Sequence, residues 1–333
     1  AAIIISHSHL DHMGLLPYLF KLGYRGPVYC TPPTRDLMAL LQFDYVDVVT
    51  KNGAESPYGE RDVKEMVKYC IPREYREVTD IAPDMRITFH NAAHILGSAS
   101  VHVHIGEGDH NLVYSGDIKY GFTRLFDTLD LGYPRVETLI VESTYSGKND
   151  IMPPREDDER KLVRIVQETV AQGGNVLIPV FAVGRGQELM MVIEDAFRRN
   201  ELNVKCYVDC LTREAASIHT AYPEYLRQNV QRRILQNDSP FMSEVFHHVN
   251  GQNRDEILEE KGNIVLASSG MLTGGASLEY FYKMAENPAN SLVFVGWQAN
   301  GSLGRRIQEG MTTVAHTENN GRVKETKINL RVE

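Results

Sequence analysis

The sequence has few cysteines, no long apolar run and no excess of positive charge. Four cysteines in 333 residues are too few for a disulfide scaffold, so free thiols in a reducing cytosol are expected. Cys206 and Cys210 lie in the strand-like stretch CYVDC, which favours buried thiols over a zinc knuckle. No apolar run reaches the roughly 20 residues of a membrane helix, and no basic segment opens a secretory signal. We therefore expect a cytoplasmic protein that does not use a membrane.

The charge balance argues against a protein that coats nucleic acid. The formal net charge is −9, from 35 basic and 44 acidic residues, whereas a coat needs an excess of cations against the phosphates. An enzyme that meets a nucleic-acid backbone in one cleft is still allowed, because divalent ions bound there would reverse the local field. The length allows one large domain or two ordinary ones.

Imidazole is concentrated near the start of the chain, in the run HSHLDH at residues 7–12. The preceding Ile3-Ile4-Ile5 predicts a buried strand, and residues 13–20 predict the start of an apolar-faced helix. The run therefore occupies a strand-to-helix loop. A solvated polar turn is the ordinary alternative, but such a turn does not need three histidines.

The side chains of this run are suited to metal binding. Neutral imidazole is the commonest metal ligand in proteins, and a carboxylate adds a hard oxygen donor. His7 and His9 are two positions apart and can point at one ion. Asp11 and His12 are adjacent and can serve a second ion a few Å away.

Three further candidates stand at the ends of predicted strands. His94 lies in NAAHILGSAS, Asp117 ends NLVYSGD and Glu142 ends ETLIVES. Binding sites in α/β proteins commonly lie beyond the carboxyl ends of strands, and a carboxylate there can bridge two ions. Taken singly, they could be a loop histidine, a turn former and a helix cap. Their order after HSHLDH favours a joint site.

The rest of the chain predicts two kinds of β-structure. The pattern of apolar strand, Gly- or Ser-bearing loop and helix recurs in NVLIPVFAVGRGQ, NIVLASSGMLTGGAS and SLVFVGWQANGS, which indicates a mostly parallel sheet covered on both faces. The alternation VHVH and the turn GEGDHN indicate antiparallel hairpins instead. Residues 146–161 look like a passage between lobes, and a helix is predicted from about Asp158 to Ala171.

The remaining histidines are harder to assign. His102 and His104 share one face of a predicted strand, so they are either a metal pair or half-exposed strand residues. We expect His110 to be a solvent-exposed turn residue and His316 to be a loop histidine.

Several motifs together carry a family resemblance. HSHLDH, HILGSAS and YSGDIKY resemble the metallo-β-lactamase superfamily of binuclear hydrolases. VESTYSG, IPVFAVGRGQE, IHTAYPEYL, SSGMLTGGASLEYF and GWQANGSLGRRI are more specific and resemble its β-CASP nuclease branch. The closest likeness is to archaeal homologues of the cleavage and polyadenylation specificity factor endonuclease, over nearly the whole chain.

The resemblance implies an α/β fold with a particular domain arrangement. It is a metallo-β-lactamase αββα sandwich, incomplete in this chain, with an inserted β-CASP α/β domain. The implied limits are 1–149 for the first part of the lactamase domain, 150–305 for the β-CASP domain and 306–333 for the return to the lactamase domain. We expect a piece of a longer protein, because the family's opening strands, KH domains and two downstream histidines are not recognisable here.

The resemblance also implies two Zn²⁺ ions in a complete active site. Their expected ligands are His7, His9 and His94 for one ion, Asp11 and His12 for the other, and Asp117 between them. Asp11, Asp117 and Glu142 are the expected catalytic residues. Glu142 matches the family's acidic residue that supports a proton-donating histidine.

The implied activity is that of a zinc-dependent RNA endonuclease, with 5′→3′ exonuclease activity as a second expectation. It would act in RNA 3′-end processing and transcription termination, with a second copy or related β-CASP subunits as expected partners. Arg185, Arg305 and Arg306 are candidate contacts to RNA phosphates, or else solvated surface charges. A DNA-processing β-CASP nuclease and a non-catalytic scaffold subunit are the alternatives. Glu142 favours RNA, because DNA-processing relatives tend to have Asp there.

Overall fold

The computed structural model describes residues 2–51, 53–209, 211–249, 254–317 and 321–333. The chain forms two compact units, Ala1–Asp150 with Ile218–Arg232, and Ile151–Ser217 with Arg233–Glu333. Among the described residues, no helix combines the length and apolar character needed to cross a bilayer. Cys206 is buried and free, whereas Cys210 lies outside the described residues.

The first unit contains two sheets and a layer of helices. Its strands are β1 (Ile3–Ile4), β2 (Val28–Cys30), β3 (Cys70–Pro72), β4 (Val78–Ala82), β5 (Met85–Asn91), β6 (Ala99–Ile105), β7 (His110–Tyr114) and β8 (Thr138–Ile140). Its helices are α1 (Leu10–Met13), α2 (Leu16–Lys21), α3 (Pro32–Lys51) and α4 (Glu60–Lys68). Strands β1, β2 and β3 form a parallel sheet. Strands β4 to β8 form the other sheet, antiparallel up to β7 and parallel between β7 and β8.

Alternation along β2 shows how these layers stack. Tyr29 packs with Phe89 and Val101 of the other sheet. Its neighbours Val28 and Cys30 pack with the helices instead. Successive strand residues point to opposite faces, so the β1–β3 sheet lies between the helices and the β4–β8 sheet. The predicted helix over residues 13–20 is divided, since α1 ends before Gly14 and α2 begins at Leu16.

The other face of β5 and β6 is polar and yet buried. His90 is opposite Ser100 in the register, and His102 is only 1% exposed. The ring of Tyr133 packs against both histidines, and its hydroxyl is 2.6 Å from that of Ser100. The expectation of a half-exposed His102 is therefore wrong.

His110 also differs from its prediction. It begins β7 rather than occupying a turn, and its Nε2 is 3.0 Å from the hydroxyl of Thr138. Predicted hairpins between β5, β6 and β7 are confirmed.

The second unit follows the strand–loop–helix pattern. Its strands are β9 (Val176–Pro179), β10 (Cys206–Asp209), β11 (Phe246–His248), β12 (Ile264–Ala267), β13 (Ser291–Leu292), β14 (Thr313–Thr317), β15 (Val323–Lys327) and β16 (Arg331–Val332). Its helices, two of which cross the limits between the units in sequence, are α5 (Arg155–Ala171), α6 (Arg185–Arg198), α7 (Thr212–Ala221), α8 (Gln228–Leu235), α9 (Arg254–Glu259), α10 (Gly275–Met284) and α11 (Leu303–Gln308). Short 3₁₀ turns cover Pro223–Tyr225 and Pro240–Met242.

The predicted parallel sheet is confirmed. Its strands run in the order β11-β10-β12-β9-β13-β16, all parallel. The central strands β9 and β12 are buried along their whole length, as continuous apolar runs predict. Strand β13 ends at Leu292, although the apolar run SLVFV at its start predicts a longer strand.

The end of the chain lies in the second unit. Strands β14 and β15 form an antiparallel hairpin, and β16 pairs with β13. The family resemblance implies instead that residues 306–333 return to the lactamase domain, and the domain limits stay a prediction. His316 is a strand residue of β14, so its prediction as a loop histidine is wrong.

Candidate metal centre

The histidine run begins where β1 leaves the parallel sheet. The amide of Ile5 still donates to the carbonyl of Tyr29 at 2.9 Å, so the chain follows β2 up to the run. The single turn α1 starts directly after His9, and Met13 buries its side chain at the end of that turn. Strand pairing on one side and Met13 on the other thus hold the loop.

A second loop, between β5 and β6, carries His94. The hydroxyl oxygen of Ser98 accepts from the amides of His94 and Ile95, at 3.0 and 3.2 Å. Gly97 has a φ of +74°, a left-handed conformation that favours glycine. A Cβ on Gly97 would lie 2.6 Å from the hydroxyl oxygen of Thr31. The loop therefore needs both the conformation and the small size of glycine.

Asp117 reaches the same place from the end of β7. Gly116 has a φ of +55°, and a Cβ there would lie 2.8 Å from Cβ of Ser6. The amide of Ala99 donates to the carbonyl of Ser6 at 2.8 Å. Close approach at Gly116 thus brings Asp117 against the start of the histidine run.

Four of the predicted ligands converge. Ligand atoms of His7, His9, His94 and Asp117 all lie within 4.8 Å of one another. Nε2 of His94 is 3.1 Å from Nδ1 of His9 and 3.5 Å from Oδ2 of Asp117. Two ligands about 2.05 Å from one tetrahedral ion are separated by about 3.3 Å. The spacing of these atoms matches what one tetrahedral ion requires.

The second oxygen of Asp117 faces a different pair of side chains. Its Oδ1 lies 3.3 Å from Nε2 of His12, and the same Nε2 lies 3.5 Å from Oδ2 of Asp11. Asp11 is largely exposed, with 77% of its side-chain surface accessible. Asp117 therefore stands between two groups of donors, with one oxygen toward each.

Burial keeps His7 neutral, and hydrogen bonding keeps Asp117 ionised, and these are the forms that bind metal. Burial, followed by the nearby imidazoles, lowers the pKa of His7 to about 2, so its ring is neutral near pH 7. The hydrogen bond with His12 lowers the pKa of Asp117 to about 2 and raises the pKa of His12. Neutral imidazole and ionised carboxylate are the states that ligate metal ions.

The surroundings of His7 test whether the donor set fits a metal ion. It is fully buried, and its Nε2 makes no hydrogen bond. A buried nitrogen without a partner is costly. Nδ1 on the other side of the ring lies 3.2 Å from the hydroxyl of Ser6, an arrangement typical of metal-binding histidines. The donor set therefore fits a metal ion.

The remaining predicted residues lie outside this four-residue group. Glu142 follows β8, which ends two residues earlier than predicted; its amide donates to the hydroxyl of Ser115 at 3.0 Å. In the second unit, Arg185 and Arg306 are exposed, and Arg305 is paired with Glu309 at 2.7 Å.

Sequence reasoning missed the hydroxyls that support the ligands. They belong to Ser6, Ser98 and Tyr114, and the hydroxyl of Tyr114 lies 3.5 Å from Nδ1 of His12. Ser6 directly precedes His7, and Ser98 lies four residues after His94 within HILGSAS, so their positions were a usable signal. Tyr114 was less accessible, because only the register of β7 turns it toward His12.

Comparison with known proteins agrees with this geometry. The family model of the Metallo-beta-lactamase superfamily matches residues 1–143, and that of the Beta-Casp domain matches residues 186–307. Proteins named transcription termination factor FttA are 49% identical in Methanococcus maripaludis, 50% in Methanocaldococcus jannaschii and 47% in Lokiarchaeum sp.. In each case 99% of this chain aligns with 52 or 53% of the relative. The chain thus spans about half the length of these curated relatives, and the predicted resemblance is confirmed.

Proposed function

The chain belongs to the metallo-β-lactamase superfamily and carries a Beta-Casp domain, and from this premise we propose that it is the nuclease part of a zinc-dependent ribonuclease. The proposed reaction is hydrolysis of RNA phosphodiester bonds, endonucleolytic with an added 5′→3′ exonuclease activity. The proposed process is transcription termination with RNA 3′-end formation. Relatives that are 49 and 50% identical to this chain are named transcription termination factors, and the product of transcription is RNA.

The position of Asp117 is the observation that carries the proposal. One carboxylate oxygen faces His94 and the other faces His12, as a bridging ligand between two ions requires. Paired metal ions at such spacing are a recurring device of phosphodiesterases. A single structural ion would use only one of these faces.

Zinc suits these donors and would supply charge to polarise a phosphoryl group and acidify a water. His7, His9 and His94 would hold one ion, Asp11 and His12 would hold the other, and Asp117 would contact both. The low pKa of Asp117 keeps its carboxylate ionised over the physiological range. Ser6 would orient the ring of His7. Because His7 is fully buried, water does not reach the centre past this ring.

Other assignments belong to the same proposal. Glu142 would support a proton-donating histidine, and Arg185, Arg305 and Arg306 would contact phosphates. The lactamase and β-CASP domains would divide at 1–149, 150–305 and 306–333. A cytoplasmic location accords with the free, buried thiols of Cys30 and Cys206.

A cleavage assay on RNA and DNA oligomers of one sequence tests the proposed activity. In the full-length protein we expect zinc-dependent cleavage of RNA, its loss in His9→Ala and Asp117→Ala, and its loss when a chelator removes metal. His110→Ala is the matched control, because this histidine lies on the same unit and is bonded to Thr138. Shortening of a 5′-labelled RNA from its 5′ end would separate exonuclease from endonuclease products.

Metal analysis of the same preparations distinguishes the alternatives. Cleavage of DNA but not RNA would replace the proposal with a DNA-processing nuclease. Bound zinc without any cleavage would favour a non-catalytic subunit. If neither the wild-type protein nor His110→Ala contains bound metal, the proposed metal centre is wrong.

A further inference from the structure

Two stacked rings lie in the second unit, one on the β14–β15 hairpin and one on α10. The imidazole of His316 lies on the phenol ring of Tyr282, with centroids 3.8 Å apart and planes 9° from parallel. Tyr282 belongs to α10 and packs against the core of the second unit. Each residue is half-buried, so part of the pair is accessible to solvent.

The register of the hairpin determines which groups accompany His316. His316 is opposite Lys324, and Val314 is opposite Thr326. Opposed residues share one face, and Val314 and Thr326 are buried. Lys324 is exposed. The only acidic residue in β15 is Glu325, which lies opposite Ala315 and therefore on the other face.

A second cation, Arg306, lies on α11. Leu303 and Ile307 of that helix belong to the core against which Tyr282 packs. The positive charge of Arg306 opposes the rise that burial causes in the pKa of Tyr282. Arg306 is exposed. The stacked pair is therefore accompanied by a cation from α11 and a cation from β15.

The same unit contains a histidine–tyrosine pair of a different kind. His247 and Tyr207 lie 5.5 Å apart between centroids, at 40°. The Tyr207 hydroxyl donates to Glu260 at 2.6 Å, and Lys205 is paired with the same carboxylate. The rings of this pair are not stacked, and the nearby cation Lys205 is neutralised by Glu260. It provides an internal comparison.

We propose that Tyr282, His316, Arg306 and Lys324 form a binding site for single-stranded RNA. Unpaired bases would stack on the accessible part of the rings, and the two cations would contact phosphates. Aromatic rings interleaved with cations are the usual means of binding single strands without sequence preference. The site rests on the proposed RNA substrate, but it binds through groups other than the metal ligands.

Fluorescence anisotropy of a labelled RNA oligomer, with chelator present to prevent cleavage, tests the site. His316→Ala should weaken binding roughly 5- to 150-fold, the loss expected for one stacked base. His316→Phe should restore it, because Nδ1 of His316 makes no hydrogen bond that phenylalanine would lose. Arg306→Gln and Lys324→Gln should each lower the salt dependence by about 0.7 in the logarithmic slope. His247→Ala, the matched control, should bind as the wild type does.

The outcomes separate this site from the proposed function. If the wild-type protein binds no RNA, the proposed substrate fails together with the site. If it binds RNA and His316→Ala binds equally well, the site alone is overturned. Should His316→Ala unfold, as a fall in its melting temperature would show, the two glutamine variants and His316→Phe decide the matter. An abasic oligomer of equal length should bind the wild type and His316→Ala alike, and a difference between them would contradict base stacking.

Discussion

The hydroxyl oxygen of Ser6 lies 3.2 Å from Nδ1 of His7, across the ring from the nitrogen that lies 3.8 Å from Oδ2 of Asp117. When the hydroxyl accepts a hydrogen bond from Nδ1–H, Nε2 keeps its lone pair free. Supporting groups of this kind set the tautomer and orientation of a metal ligand. Ser6 is therefore part of the centre although it cannot reach a metal ion held by Nε2.

Ser6→Ala should lower the affinity for zinc by about 10- to 100-fold, the usual effect of losing such support. Competition with a chromophoric chelator measures the affinity directly. Ser6→Thr keeps the hydroxyl and is the matched variant. Equal affinity in the wild type and in Ser6→Ala would mean that packing alone orients His7.

Gly97→Ala should destabilise the first unit more than the same substitution at a left-handed glycine that has free space around it. The φ of +74° alone costs about 1–2 kcal/mol for a residue with a Cβ. The new Cβ would also lie 2.6 Å from the hydroxyl oxygen of Thr31 and 2.9 Å from Cβ of Pro33, and overpacking of this kind costs about 1–3 kcal/mol more. Denaturant unfolding measures the sum.

Gly108→Ala is the control for Gly97→Ala. Gly108 also has a left-handed φ, of +105°, but a Cβ there would meet nothing within 4 Å. Only the conformational cost should appear. Equal losses of unfolding free energy in the two variants would show that the loop around Gly97 relaxes without cost.

The ligands of the centre differed in how far the sequence could predict their placement. His7, His9 and His12 are crowded into six positions, so any loop conformation leaves them near one another. His94 and Asp117 approach them only through the long-range contact of Gly116 with Ser6 and the pairing of Ala99 with Ser6. Their inclusion rested on motif order and family resemblance. Their role as ligands stays a prediction that metal analysis will test.

The fold shows the same division between local and long-range information. The buried strands β9 and β12 and the hairpins of β5 to β7 follow from apolar runs and alternation, which are local signals. Alternation also placed His102 and His104 on one face, but it could not show that Tyr133 covers that face. His316 was misassigned for a related reason, because its strand is defined by pairing with β15.

Tyr222→Phe should loosen the segment Ile218–Arg232, which belongs to the first unit although it is distant in sequence. The Tyr222 hydroxyl donates to Asp36 at 2.5 Å. A hydrogen bond to a charged group contributes about 1.5–3 kcal/mol, so the segment should be cleaved faster in limited proteolysis. Tyr120→Phe is the control, because Tyr120 is 80% exposed. Unchanged cleavage in Tyr222→Phe would leave Tyr225, which donates to Glu74, as the main anchor.

Acidification should destabilise the first unit through the buried histidines of β5 and β6. Burial lowers the pKa of His90 and of His102, while Asp130 acts on His90 in the opposite direction. The unfolded chain has ordinary imidazoles with a pKa of about 6.5. Below that pH the unfolded state binds more protons than the folded state, so the free energy of unfolding falls as the pH falls. Each histidine contributes a slope of up to about 1.4 kcal/mol per pH unit.

Denaturant unfolding between about pH 5 and 8, with chelator present, measures how the free energy of unfolding changes with pH. His90→Gln combined with His102→Gln removes both titrating groups while keeping side chains that can hydrogen bond. We expect this double variant to lose less stability on acidification than the wild type does. The residual slope would come from other groups, including His7, whose pKa is also lowered by burial. A double variant with the wild-type slope would show that these buried imidazoles do not take up protons on unfolding, and that acid acts on the first unit at the metal centre instead.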